Sequence, residues 1–171
     1  LKVVGAQPQH FTEDEWQNAL DRLKKAIADG QLRSFAGNNY LQELANGNTV
    51  ACEAWSGDVI QAQLSNPDIK FIAPEEGFSL WSDNMMIPNQ ATHQANAQKW
   101  IDYYYDPVVA AKLAAWVNYI CPVAGAQEEM AKIDPALAEN PLIFPDAEFL
   151  ASTFDFMPLD DRQQAQYEKE W

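Results

Sequence analysis

The stretch GFSLWSDNMMIP, Gly77 to Pro88, places an indole and a carboxylate two residues apart, at Trp81 and Asp83. On an extended chain residues i and i+2 face the same side, so ring and charge would look into one space. A similar set occurs earlier, where AWSGD brings Trp55 close to Ser56 and Asp58. An aromatic face attracts a cation through its quadrupole by roughly 0.5–2 kcal/mol, and a carboxylate supplies the charge partner. A flat sugar or a desolvated ammonium suits such a wall. The competing reading for each tryptophan is a strand-end ring that packs under a loop.

Other chemistry has little foothold. There is no phosphate-cradling glycine loop, nucleophile elbow or cluster of metal ligands, so neither a cofactor nor a metal is expected. The acidic pairs Glu75-Glu76 and Asp160-Asp161 read as solvated turn and cap residues. His10 and His93 lack ligand spacing, and Cys52 and Cys121 are the only cysteines. Two buried free thiols, or one disulfide closing a long loop in an oxidising compartment, are both compatible with them.

The chain has 171 residues, 47% of them apolar, which is enough to bury a core. Its 25 acidic against 11 basic residues give a formal net charge of -14. So negative a surface repels phosphate backbones and anionic lipid headgroups, which argues against nucleic acid and against electrostatic membrane attachment; a cationic ligand is the natural counterpart. No apolar run approaches the roughly 18 residues needed to span a bilayer.

The elements that must position these residues alternate at first. Thr12 and Glu15 form a capping box ahead of a helix with apolar Trp16, Leu20, Leu23 and Ile27, and Gly30 stands at its C-terminal stop. Asn38 or Asn39 starts a short helix through Leu44, ended by the NGN turn. TVACEAW and DIKFIAP then read as strands around a helix capped by Ser56, with GFSLWSDNMMIP as a third strand, an α/β rhythm in which Trp55 and Trp81 end strands. From Thr92 the pattern is helical. HQANAQKWIDYYYD stops before Pro107, which opens the next helix; short helices are expected at 127–132 and 146–151, and Asp160 or Asp161 caps a last one. Trp16, Trp100, Trp116 and most of Tyr103 to Tyr105 are expected to pack in the core.

The segments ACEAWSGDVIQAQLSNPDIKFIAPEEGFSLWSDNMMIPNQA, WIDYYYDPVVAAKLAAWVNYICPVAGA and NPLIFPDAEFL resemble the C-terminal half of bacterial spermidine/putrescine-binding proteins, the solute receptors of polyamine ABC importers. The ungapped interval from AWSGD to LWSDNMMIP carries the likeness most specifically. It implies a two-lobe fold of the periplasmic-binding-protein type II class, of which residues 1–88 would be an α/β lobe segment, 89–120 a helical crossover belonging to the other lobe, and 121–171 a return segment with a C-terminal helix. It also implies that Trp55 and Trp81 line the ligand's methylene chain, that Asp83 pairs with a nitrogen, and that Tyr119 lies beside the ligand's end; Asp58 is a weaker supporting candidate. Where the family has a glutamine near the ligand, this chain has Phe156, so that contact is not carried over.

By the same resemblance the protein is not an enzyme. It would bind a polyamine outside the cytoplasm, in the periplasm or extracellularly and with lipid anchoring through a preceding segment as one option, and would hand its ligand to ABC permease subunits. An exported setting favours a Cys52–Cys121 bridge. These residues alone would be about half of a receptor, with weak ligand binding, because closure of two lobes supplies much of the desolvation. Rival readings are a receptor for an amino-sugar or iron complex and, from another class, a lobe of a carbohydrate-active enzyme.

Overall fold

The computed structural model describes residues 1–171. The chain forms two compact units, and it passes between them several times. The first unit comprises Leu1–Ala36, Ala73–Ser82 and Ala151–Trp171; the second comprises Gly37–Ile72 and Asp83–Leu150.

In the first unit, α1 (Glu13–Ala28) starts with the expected capping box, Thr12 and Glu15 bonding each other's backbone N–H groups. Gly30 follows its end with φ +73°, a left-handed conformation that glycine adopts without steric cost. α9 (Asp161–Glu170) begins with a second capping box, between Asp160 and Gln163. The two helices meet through aromatic rings. Trp16 and Tyr167 have centroids 4.4 Å apart, Phe11 sits 5.6 Å from Tyr167, and the Trp16 indole N–H donates to Glu170 Oε2 at 2.7 Å. The unit's sheet is small: β1 (Phe78–Ser79) pairs in parallel with β2 (Thr153–Phe154), in the register Phe78 to Thr153 and Ser79 to Phe154. Just ahead of β1, Gly77 has φ +97°, and a Cβ there would lie 2.6 Å from the Ser152 carbonyl oxygen. Only glycine lets the two strands approach so closely.

The second unit is helical, with α2 (Tyr40–Ala45), α3 (Ser56–Ser65), α4 (Gln94–Tyr104), α5 (Pro107–Val117), α6 (Ala126–Ile133), α7 (Pro135–Ala138) and α8 (Ala147–Ala151), the last reaching the boundary with the first unit. Pro107 occupies the first turn of α5, and the Asp106 carboxylate caps it by accepting from Val108 N and Val109 N. α5 turns small residues inward: Ala110, Ala111 and Ala114 are buried against Ala126 and Met130 of α6, with Ile60 and Ile143 in the same cluster. A smaller cluster joins Val59 and Ala62 of α3 to Ile69.

Three expectations are corrected here. TVACEAW and DIKFIAP are not strands: neither finds a backbone ladder partner, and residues 66–74 form turns and irregular chain after α3. A strand needs a neighbour to satisfy its N–H and C=O groups, which side-chain alternation cannot supply. Of GFSLWSDNMMIP, only Phe78 and Ser79 are strand. Of the helical aromatics expected in the core, Trp16 is half-buried against Phe11 and Tyr167, whereas Trp100 and Trp116 are 72% and 82% exposed, and Tyr103 and Tyr105 also face solvent. α5 is apolar nearly all round, and its alanine face alone saturates the core available to it.

Candidate ligand-binding site

The start of α3 organises the site. Ser56 was expected to cap this helix, but the N-cap is Trp55, in extended backbone, and its side chain has no oxygen to accept from the first turn. The helix start is held from outside instead. The Trp55 backbone N–H donates to the Tyr40 hydroxyl oxygen at 3.2 Å, and the Tyr40 O–H donates to Asp58 Oδ2 at 2.5 Å. In an ordinary capping box the acid three residues past the N-cap reaches back to the N-cap N–H directly. Here a tyrosine hydroxyl is interposed between the two.

Asp58 accepts a second hydroxyl. Tyr119, two residues beyond the end of α5, donates its O–H to Asp58 Oδ1 at 3.2 Å. The chain reaches it through Asn118, whose left-handed backbone (φ 60°) ends α5 and whose N–H bonds back to Ala114. The Tyr119 ring lies against the first turn of α3, where Gly57 leaves room for it: a Cβ at Gly57 would be 2.5 Å from Tyr119 Cε2.

These surroundings fix protonation. Burial, then the charge of Asp58 and the bond to it, push the Tyr119 hydroxyl up to about 12. Tyr40, only 8% exposed, is also raised, first by burial and then by its bond to Asp58. Both tyrosines therefore keep their protons at neutral pH and direct them at the carboxylate. Asp58 sits in the first turn of α3, where the helix dipole favours a negative charge. Two neutral hydroxyls orient that charge without cancelling it. The Trp55 ring, 46% exposed, opens to solvent from the same turn.

The structure thus joins Trp55, Asp58 and Tyr119 of the expected set in the second unit and gives Asp58 the central position. Asp83 is exposed, at the point where the chain re-enters the second unit. Trp81 belongs to the first unit, two residues past β1, and is 40% exposed. Neither tryptophan is sealed in a core. Tyr40 was missed as a site residue. Its one sequence signal is a tyrosine on a short helix, whose hydroxyl needs a partner once the ring is buried.

Cys52 and Cys121 are free thiols, each half-buried, so the expected bridge is not formed. Cys121 packs against the α5–α6 cluster, and its backbone N–H is tied to Ile143 O at 3.0 Å. Burial pushes both thiols above their ordinary pKa. No helix is long and apolar enough to cross a membrane.

Known proteins place this arrangement in context. The chain is 27% identical over 165 residues to a putrescine/agmatine-binding protein of Pseudomonas aeruginosa, and the match covers 93% of this chain and 44% of that protein. It is 28% identical to a putrescine-binding periplasmic protein of Escherichia coli, over 95% of this chain and 44% of the other. A spermidine/putrescine-binding periplasmic protein of Escherichia coli matches at 27% identity over 86% of this chain. Among solved structures, a putative spermidine/putrescine ABC transporter protein from Listeria monocytogenes superposes with a TM-score of 0.84 at 24% identity, over 99% of this chain and 51% of that one. The fold is therefore that of about half of that structure, rich in helix with a small sheet, and the chain spans about half the length of the relatives it matches. These relatives are named as binding proteins. The model of the bacterial extracellular solute-binding proteins matches residues 3–145, and the chain belongs to that family.

Proposed function

We propose that the protein is a polyamine-binding component of an ABC importer, acting outside the cytoplasm and delivering its ligand to permease subunits. The observation that carries this reading is Asp58: a half-buried carboxylate whose hydrogen bonds come from two neutral hydroxyls, at the same helix start as the half-exposed Trp55 ring. A desolvated negative charge that hydroxyls orient but do not neutralise is stabilised by a cation, and an indole face covers the carbons beside that cation. Trp55 and Tyr119 join Asp58 within the second unit; Trp81 and Asp83 are the further ligand residues that the resemblance implies. Several relatives are named for putrescine or spermidine, which supports the ligand class.

A thermal-shift panel tests the reading. Putrescine or spermidine at ten times its dissociation constant stabilises the folded chain by about 1.4 kcal/mol, while an amino-sugar or an iron complex leaves the midpoint unchanged. Asp58→Asn should remove the polyamine shift. A shift with the sugar or iron complex, or none with either polyamine, would overturn the assignment.

A further inference from the structure

We propose that Tyr40 is the positioning residue of this site: its hydroxyl locks the Asp58 carboxylate to the Trp55 backbone, so that charge and ring are presented together. The inference rests on the function proposed above and adds a residue that would not touch ligand.

Trp55 and Asp58 share one helical start, yet neither can hold the other. The indole offers no acceptor to the first turn, and the Asp58 carboxylate bonds to tyrosine hydroxyls and not to the Trp55 N–H. Tyr40 closes the gap because a hydroxyl both accepts and donates: it takes the Trp55 N–H at 3.2 Å and gives its own proton to Asp58 Oδ2 at 2.5 Å. Successive hydrogen bonds of this kind polarise one another, and the last acceptor is the charged one. Tyr40 stands on α2, and its ring is buried, so the relay ties the start of α3 to a neighbouring helix. Tyr119 holds the other carboxylate oxygen. With one oxygen fixed from each side the carboxylate plane cannot rotate freely. Each oxygen still keeps lone-pair capacity for an incoming ammonium, since a carboxylate offers about four acceptor positions.

Tyr40→Phe removes the hydroxyl and keeps the ring, so α2 stays packed. In the 171-residue chain we expect amide exchange at Trp55 to accelerate at least tenfold, while the Val59 amide, bonded to Trp55 O at 3.2 Å, keeps its protection and shows the helix intact. NMR titration with putrescine should show Tyr40→Phe weakened about tenfold, the size expected for one hydrogen bond to a charged group. Asp58→Asn combined with Tyr40→Phe should be no weaker than Asp58→Asn alone, because Tyr40 acts through that carboxylate. Equal putrescine affinity in Tyr40→Phe, or losses that add in the double variant, would reduce Tyr40 to a packing residue and overturn the inference. If the unmodified chain shows no saturable putrescine binding, the proposed function fails; the positioning claim is then judged on the Trp55 amide, and unchanged exchange there overturns it too.

Discussion

Gly57→Ala adds a single methyl group where the structure has least room for it. The new Cβ would lie 2.5 Å from Tyr119 Cε2, 2.6 Å from Cδ2 and 2.8 Å from Cζ. Carbon atoms rest about 3.5–4.0 Å apart, so the ring must retreat by roughly 1 Å. The Tyr119–Asp58 bond is already 3.2 Å long, and that retreat breaks it. Overpacking costs about 1–3 kcal/mol, and the lost bond to a charged acceptor about 1.5–3 kcal/mol if the ring cannot find a new donor position. Against this, alanine is favoured over glycine in a helix by about 0.5–1 kcal/mol. The net expectation is a loss of about 2–5 kcal/mol in urea unfolding. The decisive comparison uses Tyr119→Ala as background. With the ring gone, Gly57→Ala should become stabilising by about 0.5–1 kcal/mol, so its effect changes sign. A Gly57→Ala change that is neutral or stabilising in the unmodified chain, or the same in both backgrounds, would refute the packing of Tyr119 on the α3 turn.

Tyr119 should titrate near 12 in absorbance at alkaline pH and move back toward the ordinary tyrosine value in Asp58→Asn. Because its folded pKa lies above the unfolded value near 10, its contribution to stability is full below pH 10 and is lost as pH rises toward 12; a midpoint independent of pH across that window would contradict the buried hydroxyl. Denatured without reductant, the chain should show two reactive thiols, and in the folded state at neutral pH both should react slowly because burial raises their pKa; a titre of zero would mean that Cys52 and Cys121 are bridged after all. Asp160→Ala removes the carboxylate that accepts from Gln163 N at 2.7 Å and should cost about 1 kcal/mol in urea unfolding, with Asp160→Asn costing less. No difference between the two variants would show that the cap does not hold α9.

What was legible beforehand follows the range of each signal. Caps and stops are local chemistry, and Thr12 with Glu15, Gly30, Asn39, Pro107 and Asp160 all mark helix ends where residue type alone predicts them. Strands depend on partners distant in sequence. TVACEAW has the alternation of a strand but no ladder beside it, so its last residue became the cap of α3 instead. The aromatic residues misled for a related reason: the spacing of Trp100 and Trp116 reports an apolar helix face, not what lies against it. Around the start of α3, the sequence points to Trp55, Tyr119 and, more weakly, Asp58, but not to Tyr40. Eighteen residues separate Tyr40 from the carboxylate it serves, and no local pattern announces such a bond.

The order in which the two units draw on the chain has a consequence for synthesis. The first unit draws on three separate segments, the last of them Ala151–Trp171, whereas the second draws on none of the residues after Leu150. A ribosome delivering residues from the N-terminus therefore releases all of the second unit's residues described above while α1 still waits for α9 and the Trp16–Tyr167 ring contact it supplies. During that interval Trp16 has Phe11 beside it but not Tyr167. Removing Asp161–Glu170 would take away the helix that brings Tyr167 to Trp16.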